Sequence, residues 1–577
     1  MKLVPRLLRL RIRLAERFRP SEVHTMLLWA ALVGFVGALA TIAFREAITG
    51  LEWLATRHRG GLVEIAEILP WYLRIAFPAI GGVAAGLLLQ LSRRWAYEGV
   101  SSDYMEAIAI GDGRIPVRQA LTRSASSLFS VASGGSIGRE GSMVHLAAMC
   151  ASLTGRIAKF GPNRLRLLVA CGAAAGITSA YSAPIAGALF VSEIVLGSIA
   201  MESFGPLLVA SVAANITMRE LTGYAPPYQM PAFPAIFGTE VLAFVALGLL
   251  AGAAAPQFLR ALEGAKAGFA RLALPLPVRL GLGGLIVGVV SARVPEVWGN
   301  GYSVVNSLLH HDWLWALVLL VLASKIVTTA ATTGSGAIGG VFTPTLFVGA
   351  SLGLLFGQGV HALWPEATSM PFAYAIVGMG AFLAGATHAP LMAILMIFEM
   401  TLSYQAVLPL MLACVAAYFV ARASGEHSMY DVTIHRNQEE RALARWRGLQ
   451  ISELLKPATP TVPVTAAFAD VERAFLEHPV RYVYVVDGAG RFCGVVSLHE
   501  IKQLLISRQG PPSSTAGELM RREFAVLTPE TALGDALQMF LTQDTERLPV
   551  VRSAEDRTLL GVVSKSDLLL EIQTLSG

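Results

Sequence analysis

The stretch GGSIGREGS, residues 134–142, sets an arginine and a glutamate between glycines inside an otherwise apolar region. A charged side chain at membrane depth is costly, so such a residue is a functional candidate by default. A second glycine-rich stretch, GGVFTP at residues 339–344, lies in the other half of the chain. Pro344 fits the first turn of a helix, where its missing N–H costs nothing. The second loop therefore predicts a helix that begins inside an apolar segment, and the flanking glycines of the first favour backbone N–H groups that face a ligand.

The free amides of a helix start form an anion site, because the amides and the helix dipole both favour negative charge. One helix end carries only about half a unit charge, whereas dehydrating an ion costs several kcal/mol. Two or three helix starts must therefore converge to hold a bare anion, and the binding must stay weak enough for release. A plainer reading is that Arg139 and Glu140 pair with buried partners or lie at a water boundary.

The composition excludes a soluble globule. The chain has 577 residues, of which 54% are hydrophobic and 15% charged, against roughly 25% charged in an ordinary soluble protein; the mean hydropathy is +0.57. Four cysteines are too few for a secreted disulfide scaffold. The net charge of +5 comes from basic residues beside membrane segments, so no nucleic-acid partner is expected. A polytopic membrane protein remains.

Several apolar segments have the length of a membrane span. Residues 26–44 run without a charge, close to the roughly 20 residues that a span needs. Others are broken, as at Ala183-Pro184 and Ala389-Pro390. A broken helix survives in lipid only where its freed backbone groups face protein or a water-filled cavity, and paired breaks indicate a transport site near the midplane. The basic N-terminal arm predicts a cytoplasmic N-terminus, although a solvated arm fits equally well.

The tail after residue 450 contains an internal repeat. Residues 481–505 and 547–570 each carry a strand, a polar turn, a second strand and a helix. One such unit cannot bury both faces of its sheet, so the two copies should pack together.

The ordered set of motifs resembles the CLC family of chloride channels and proton/chloride antiporters, over roughly residues 25–435. GREGS at 138–142 is similar to the family's GREGP, and GVFTP at 340–344 is similar to its GxFxP. The tail resembles paired cystathionine-β-synthase-type (CBS) domains. The resemblance implies an all-α polytopic membrane protein, a CLC-type inverted repeat with broken helices, followed by an α/β tandem CBS module. The expected boundaries are a basic cytoplasmic arm at 1–24, an anion-transport domain at 25–435, a linker at 436–449, and CBS domains at 450–510 and 511–577.

The resemblance also implies roles for individual residues. Glu140 would be the gate, whose carboxylate competes with chloride and swings away when protonated. The central anion would be held by the backbone amides of Val341 and Phe342 and by the hydroxyl of Tyr430. The filter loops would comprise Gly138, Arg139, Gly141, Gly340 and Pro344. The implied protein is a homodimer in the inner membrane with both termini cytoplasmic, and it is not an enzyme. Its ligand is chloride, and no cofactor is required.

Two departures from the family pattern bear on mechanism. The family's GSGIP loop supplies a serine hydroxyl, but Val100 occupies that position here, so Ser101, Ser102 or a backbone amide must serve. The inner proton-acceptor position of the antiporters falls on Ile194, with Glu193 one residue earlier. An isoleucine cannot relay a proton, which favours a voltage- or pH-gated chloride channel with little proton coupling. The alternative is a proton-coupled chloride antiporter.

The CBS-like tail carries four candidate nucleotide contacts. Ser564 and Asp567, and Ser497 and Glu500 in the first repeat, match the place where such modules contact a ribose. An adenine nucleotide, ATP or AMP, would then bind between the repeats and bias the membrane domain. The alternative is a structural dimerisation platform.

Other functional classes have weaker signals. Residues 134–138 match GxSxG with Ser136 as the serine, and an intramembrane hydrolase would need His145 or His388 as its base. A divalent-cation transporter would want several membrane carboxylates, of which this part of the chain has few. The pair His310-His311 lies between apolar spans, where a wet loop is commoner than a metal site. Lys325 and Glu399 are interpreted as structural charges or as neighbours of the pathway.

Overall fold

The protein was analysed as a computed structural model that describes residues 22–58, 60–93, 103–109, 111–223, 228–229, 231–234, 238–425, 428–430, 451–506, 514–543 and 545–576. The chain divides into two compact units, Met1–Ile434 and His435–Gly577. Ser101, Ser102 and the linker at 436–449 lie outside the described residues.

The first half of the membrane unit is a series of helices of very different length. They are α1 (Glu22–Thr56), α2 (Leu62–Ile68), α3 (Trp71–Arg93), α4 (Tyr104–Ala109), α5 (Val117–Ala132), α6 (Glu140–Ile157), α7 (Pro162–Tyr181), α8 (Pro184–Leu189), a π-helical turn (Phe190–Val195) and α9 (Met201–Thr222). The uncharged stretch 26–44 is only part of α1. The helix continues beyond that stretch, through Arg45 and the buried Glu52.

The second half repeats the order of α1 and α3 to α9. Its helices are α10 (Val241–Arg271), α11 (Leu276–Ser291), α12 (Tyr302–His310), α13 (Trp315–Gly334), α14 (Phe342–Leu363), α15 (Pro371–Thr387), α16 (Pro390–Thr401) and α17 (Val407–Ala423). Both predicted breaks are present. The left-handed residues Ser182 (φ 56°) and His388 (φ 57°) end α7 and α15, and α8 and α16 then begin at Pro184 and Pro390.

The packing repeats as well. Helix α1 packs on α7 and α9, as α10 packs on α15 and α17. A Cβ on Gly34 would lie 2.3 Å from the carbonyl oxygen of Ala210, and one on Gly248 would lie 2.5 Å from that of Ala413. Small residues of this kind let membrane helices approach closely. Among the described residues, six helices are long and apolar enough to cross a bilayer. Shorter apolar helices, such as those that begin at Pro184 and Pro390, accompany them.

The tail unit contains two small sheets with helices. Its elements are β1 (Thr461–Pro463), α18 (Phe468–Glu477), β2 (Tyr482–Val486), β3 (Phe492–Ser497), α19 (Leu498–Ile506), α20 (Ala516–Leu519), α21 (Leu533–Gln543), β4 (Arg547–Val551), β5 (Leu559–Ser564) and α22 (Lys565–Ser576). Strand β2 pairs in parallel with β1 and antiparallel with β3, while β4 and β5 form an antiparallel pair.

The two repeats pack together, as predicted. The N–H of Phe492 donates to the carbonyl of Arg557 at 2.8 Å, and residues of both repeats share one apolar cluster. The segments that precede the two repeats also pair across them. Lys456, before the first repeat, pairs with Val562 of the second, and Arg521, before the second, pairs with Val495 of the first.

Candidate anion site

The two glycine-rich loops of the membrane unit are hydrogen-bonded to each other. The N–H of Gly138 donates to the carbonyl of Gly340 at 2.7 Å, and the N–H of Gly340 donates back at 2.8 Å. A Cβ on Gly138 would lie 2.8 Å from the Gly340 oxygen, so the approach requires a glycine. The pairing places the start of α6, at Glu140, beside the start of α14, at Phe342.

A cavity of about 210 Å³ lies against both helix starts. Its wall includes Glu140, Gly141, Gly340, Val341 and Phe342 from the two loops, and also Arg123, His145, Tyr181, Phe190 and Tyr430. The structure therefore brings together Glu140, both glycine-rich loops and Tyr430, as the sequence predicts. Backbone N–H groups at the first turn of a helix have no partner within that helix, and here those of Val341 and Phe342 lie at the cavity wall.

An aromatic wall encloses one side of this cavity. The ring of Tyr430 meets that of Phe190 edge-on, with 5.4 Å between ring centres, and Phe190 lies 6.1 Å from Phe342. The segment carrying Tyr430 is anchored by the N–H of Met429, which donates to the carbonyl of Ala386 at 2.9 Å. Pro344 lies in the first turn of α14 and is buried, as the loop chemistry predicts.

The Glu140 side chain is buried and is held by neutral groups. Its Oε1 accepts hydrogen bonds from the Asn300 amide at 3.1 Å and from the Tyr302 hydroxyl at 3.0 Å. Its Oε2 has no hydrogen-bond partner among the residues that the structure describes. These two partly buried partners are compatible with the plainer reading, in which Glu140 pairs with buried groups. The Arg139 guanidinium lies 6.0 Å from the centre of the Tyr302 ring.

A chain of hydroxyls continues from Tyr302. Thr343 donates to the Tyr302 oxygen at 3.4 Å, and the Tyr181 and Thr343 hydroxyls are 2.9 Å apart. Neither Asn300 nor Tyr302 was identified from the sequence, because they lie outside every recognised motif. The available signal was the glycine-flanked sequence at residues 299–302, in which Gly299 and Gly301 both have positive φ.

Lys325 holds the loop at residues 297–302 through hydrogen bonds to its backbone. It is fully buried, and its ammonium donates to the carbonyls of Val297 at 3.0 Å and Gly299 at 2.6 Å. The ammonium thus binds the loop whose Asn300 donates to Glu140.

Glu193 and Glu399 form a reciprocal pair of helix caps. The Glu193 carboxylate accepts from the N–H groups of Leu391 and Met392, at 3.4 and 2.8 Å, where α16 begins. The Glu399 carboxylate accepts from the first amides of α8, at 3.0 and 2.8 Å. Glu193 thus caps the helix that begins at Pro390. Ile194 is half-buried in the π-helical turn.

In the tail, the four candidate nucleotide contacts act as helix caps. The N–H of Ser497 donates to the Glu500 carboxylate at 3.1 Å, and the N–H of Glu500 donates to the Ser497 hydroxyl at 3.2 Å. At the equivalent place Ser564 donates to Asp567 at 2.6 Å, and Lys456 donates to the other carboxylate oxygen at 2.8 Å. These hydrogen bonds, from Lys456 first and then Ser564, hold the pKa of Asp567 below its usual value. Such boxes stabilise helix starts without a ligand.

The residues that suggested a hydrolase or a metal site make hydrogen bonds to threonine hydroxyls or to the backbone. The Ser136 hydroxyl lies 3.1 Å from that of Thr329 and accepts from Thr328 at 3.1 Å, so its hydrogen bonds go to threonines and not to a histidine. His310 Nδ1 lies 2.8 Å from the carbonyl of Asn306. In the described part of the chain, no cluster of three histidine, cysteine or acidic side chains has the geometry of a metal site.

Residues 81–422 match the family described as voltage gated chloride channel, and residues 451–507 and 516–574 each match the CBS domain. The chain belongs to the CLC family of chloride transport proteins. It is a multi-pass membrane protein with a tandem CBS module, which confirms the resemblance and the fold class inferred from the sequence.

Two relatives and one solved structure cover the membrane unit. A ClcB-like chloride channel protein of Ralstonia nicotianae is 58% identical over 419 residues, which are 72% of this chain and 98% of the relative. The voltage-gated ClC-type chloride channel ClcB of Salmonella typhi is 42% identical over 415 residues, 70% of this chain and 97% of that one. The crystal structure of a slow cyanobacterial Cl⁻/H⁺ antiporter superposes with a TM-score of 0.64 at 27% identity, over 71% of this chain and 97% of the antiporter.

Proposed function

We propose that this protein conducts chloride through a pathway gated by Glu140. The observation that carries the proposal is the pairing of Gly138 with Gly340, which sets two helix starts against one cavity. Each helix start offers unpaired amides and a partial positive charge. The amides of Val341 and Phe342 and the hydroxyl of Tyr430 hold the central anion. Ser101 or Ser102, outside the described residues, supplies the further hydroxyl.

The gate works by charge. An ionised Glu140 in the cavity excludes chloride, because two negative charges a few ångströms apart repel strongly where water is scarce. Protonation removes that charge and releases the side chain, so acid increases the flux.

Chloride efflux from liposomes, measured across a range of pH, tests this gate. The wild type is expected to speed up as the pH falls, whereas Glu140→Gln should be fast at every pH. Glu202→Gln, which alters an exposed glutamate in the first turn of α9, is the control and should keep the wild-type profile. A Glu140→Gln profile equal to that of the wild type would contradict the gate.

We infer that conduction is passive, as in a channel gated by voltage or pH. The apolar Ile194 occupies the inner acceptor position, and the neighbouring Glu193 caps α16. A proton-coupled antiporter is the second candidate, favoured by the likeness to a solved Cl⁻/H⁺ antiporter. The reversal potential under a proton gradient separates them: a channel keeps the chloride value, and an antiporter shifts it.

The assembly that we propose is a homodimer in the inner membrane, with one pathway per protomer and with the arm at 1–24 and the tail in the cytoplasm. No catalytic reaction and no required cofactor are part of the proposal. Mass measurement of the detergent-solubilised protein tests the dimer, and protease accessibility of the tail in sealed vesicles tests the orientation.

We propose further that the CBS pair binds ATP or AMP through Ser564 and Asp567, with Ser497 and Glu500 as their counterparts. Support comes from the Asp567 carboxylate, which already accepts one hydroxyl and one ammonium and so can accept a ribose hydroxyl in exchange. Calorimetry of the full chain with ATP and with AMP should give heat that Asp567→Asn abolishes. If millimolar nucleotide gives no heat, the tail is a structural platform.

A further inference from the structure

We propose that the Asn300 amide and the hydroxyl chain Tyr181–Thr343–Tyr302 form a latch that retains the Glu140 carboxylate in the anion cavity. The inference rests on the gating role of Glu140 proposed above and adds residues that set how firmly the gate is held. Two hydrogen bonds reach Oε1, from Asn300 at 3.1 Å and from Tyr302 at 3.0 Å.

The direction of every hydrogen bond in the chain follows from the carboxylate. An ionised carboxylate only accepts, and a hydroxyl has a single proton to donate. Tyr302 must therefore donate to Glu140 and accept from Thr343, whose oxygen is 3.4 Å away. Thr343 has then used its own proton and must accept from Tyr181, at 2.9 Å. Three hydroxyl dipoles in series thus point at one negative charge, and each polarises the next.

Three of the groups in these hydrogen bonds are buried, which strengthens the bonds. Glu140 is 3% exposed, Tyr181 1% and Thr343 0%. Inside a protein a hydrogen bond is electrostatically stronger than it is in water, and bonds to a charged group contribute more than neutral ones. The latch therefore favours the retained, ionised gate over a released one.

The loop that carries Asn300 and Tyr302 is held in place by Lys325. The buried ammonium binds the carbonyls of Val297 and Gly299, immediately before the latch residues. Lys325 is accordingly a positioning residue, which acts on Glu140 only through this loop.

Chloride efflux from liposomes at neutral pH, where the gate is closed, measures the latch in the full-length protein. Tyr302→Phe is expected to raise the rate about tenfold, the lower end of the effect of losing one hydrogen bond to a charged group. Thr343→Val, one bond further away, should raise it about threefold by the same reasoning. Thr343→Ser keeps the hydroxyl, so its rate should lie closer to that of the wild type than the rate of Thr343→Val does.

Tyr228→Phe is the matched control. The Tyr228 ring packs against that of Tyr302, with 4.9 Å between ring centres, and its buried hydroxyl has no hydrogen-bond partner among the described residues. Its removal should leave the rate unchanged, which separates the loss of the latch from disturbance of the local packing.

A Glu140→Ala background tests whether the latch acts through the gate. If it does, adding Tyr302→Phe to Glu140→Ala should leave the rate of chloride efflux unchanged. Wild-type rates for both Tyr302→Phe and Thr343→Val, or the same acceleration in the Glu140→Ala background, would overturn the latch. Should Tyr302→Phe fail to fold, the comparison of Thr343→Val with Thr343→Ser decides.

The same experiment keeps the two proposals apart. If Glu140→Ala alone fails to accelerate chloride efflux at neutral pH, the gating role of Glu140 is wrong and the latch falls with it. If Glu140→Ala accelerates efflux while Tyr302→Phe and Thr343→Val do not, the gate stands and only the latch is wrong.

Discussion

Gly138 and Gly340 exchange two backbone hydrogen bonds, at 2.7 and 2.8 Å, although they belong to different halves of the chain. The exchange forms a minimal two-residue ladder at the point where α6 and α14 begin. The positive ends of both helices are thereby fixed beside one cavity, and neither loop can shift without breaking a bond to the other. An anion bound there would be stabilised by peptide dipoles, which need no rearrangement when it arrives.

Gly138→Ala should abolish chloride efflux and lower the thermal unfolding midpoint. The new Cβ would lie 2.1 Å from Glu140 Oε2 and 2.8 Å from the Gly340 oxygen, so both the gate and the ladder must move. Overpacking of this kind costs roughly 1–3 kcal/mol.

Gly161→Ala is the matched control for that substitution. Gly161 precedes α7 with an ordinary φ of −67°, and a Cβ there meets nothing within 4 Å. Efflux and midpoint should stay at wild-type values. Normal efflux from Gly138→Ala would contradict the close pairing of the loops.

Glu193→Gln and Glu399→Gln should destabilise the protein to similar extents. Each carboxylate accepts two N–H groups at the start of a short helix of the opposite half. Loss of the charge beside a helix start should cost about 1 kcal/mol in each case. Thermal unfolding in detergent measures both variants, with Glu263→Gln, an exposed position within α10 and away from its start, as control. A strong effect of one variant and none of the other would contradict the reciprocal capping.

Lys325→Met should both destabilise the fold and loosen the gate. The substitution keeps an unbranched apolar stem but leaves the carbonyls of Val297 and Gly299 buried without their donor. An unsatisfied buried polar group costs about 1–3 kcal/mol. Unfolding by denaturant should show that loss, and efflux at neutral pH should rise. A destabilised variant with a wild-type efflux rate would separate Lys325 from the gate.

Asp567 should make the stability of the tail depend on pH in the acid range. Its pKa is lowered in the folded state, chiefly by Lys456, so its contribution is complete above the unfolded pKa of about 3.9. That contribution is lost as the pH falls through the lower, folded pKa. Because Lys456 is 62% exposed, the contribution is less than about 1 kcal/mol.

Hydrogen exchange of tail peptides in the full-length protein measures this effect. Asp567→Asn should exchange faster than the wild type at neutral pH, and the difference should disappear in acid. Glu555→Gln, at an exposed position between β4 and β5, is the control. A difference that persists unchanged in acid would contradict the assigned cause.

The features that could be predicted from the sequence have local causes. Glycines and a proline specify the loop at 339–344, and the X-Pro steps specify the breaks before α8 and α16, because backbone conformation there depends on neighbouring residues. The strand–turn–strand–helix repeat of the tail is likewise local. Tyr430 came only from the family resemblance, since nothing in its neighbourhood distinguishes it from other tyrosines.

The features that escaped prediction depend on contacts between distant segments. Asn300 and Tyr302 reach Glu140 from the other half of the chain, and no periodicity in the sequence marks them. The partners of Glu193 are backbone amides, which have no sequence signature at all. The segment Phe190–Val195, which carries Glu193, is π-helical, and no pattern in the sequence indicated this.

Anomalous diffraction from crystals of the full-length Glu140→Gln variant, in which no carboxylate charge competes for the cavity, grown in bromide tests the central claim most directly. The account predicts a bromide peak within hydrogen-bonding distance of the amides of Val341 and Phe342 and of the Tyr430 hydroxyl. Ordered bromide found elsewhere along the protein, with none between the loops at 138–142 and 340–344, would contradict it.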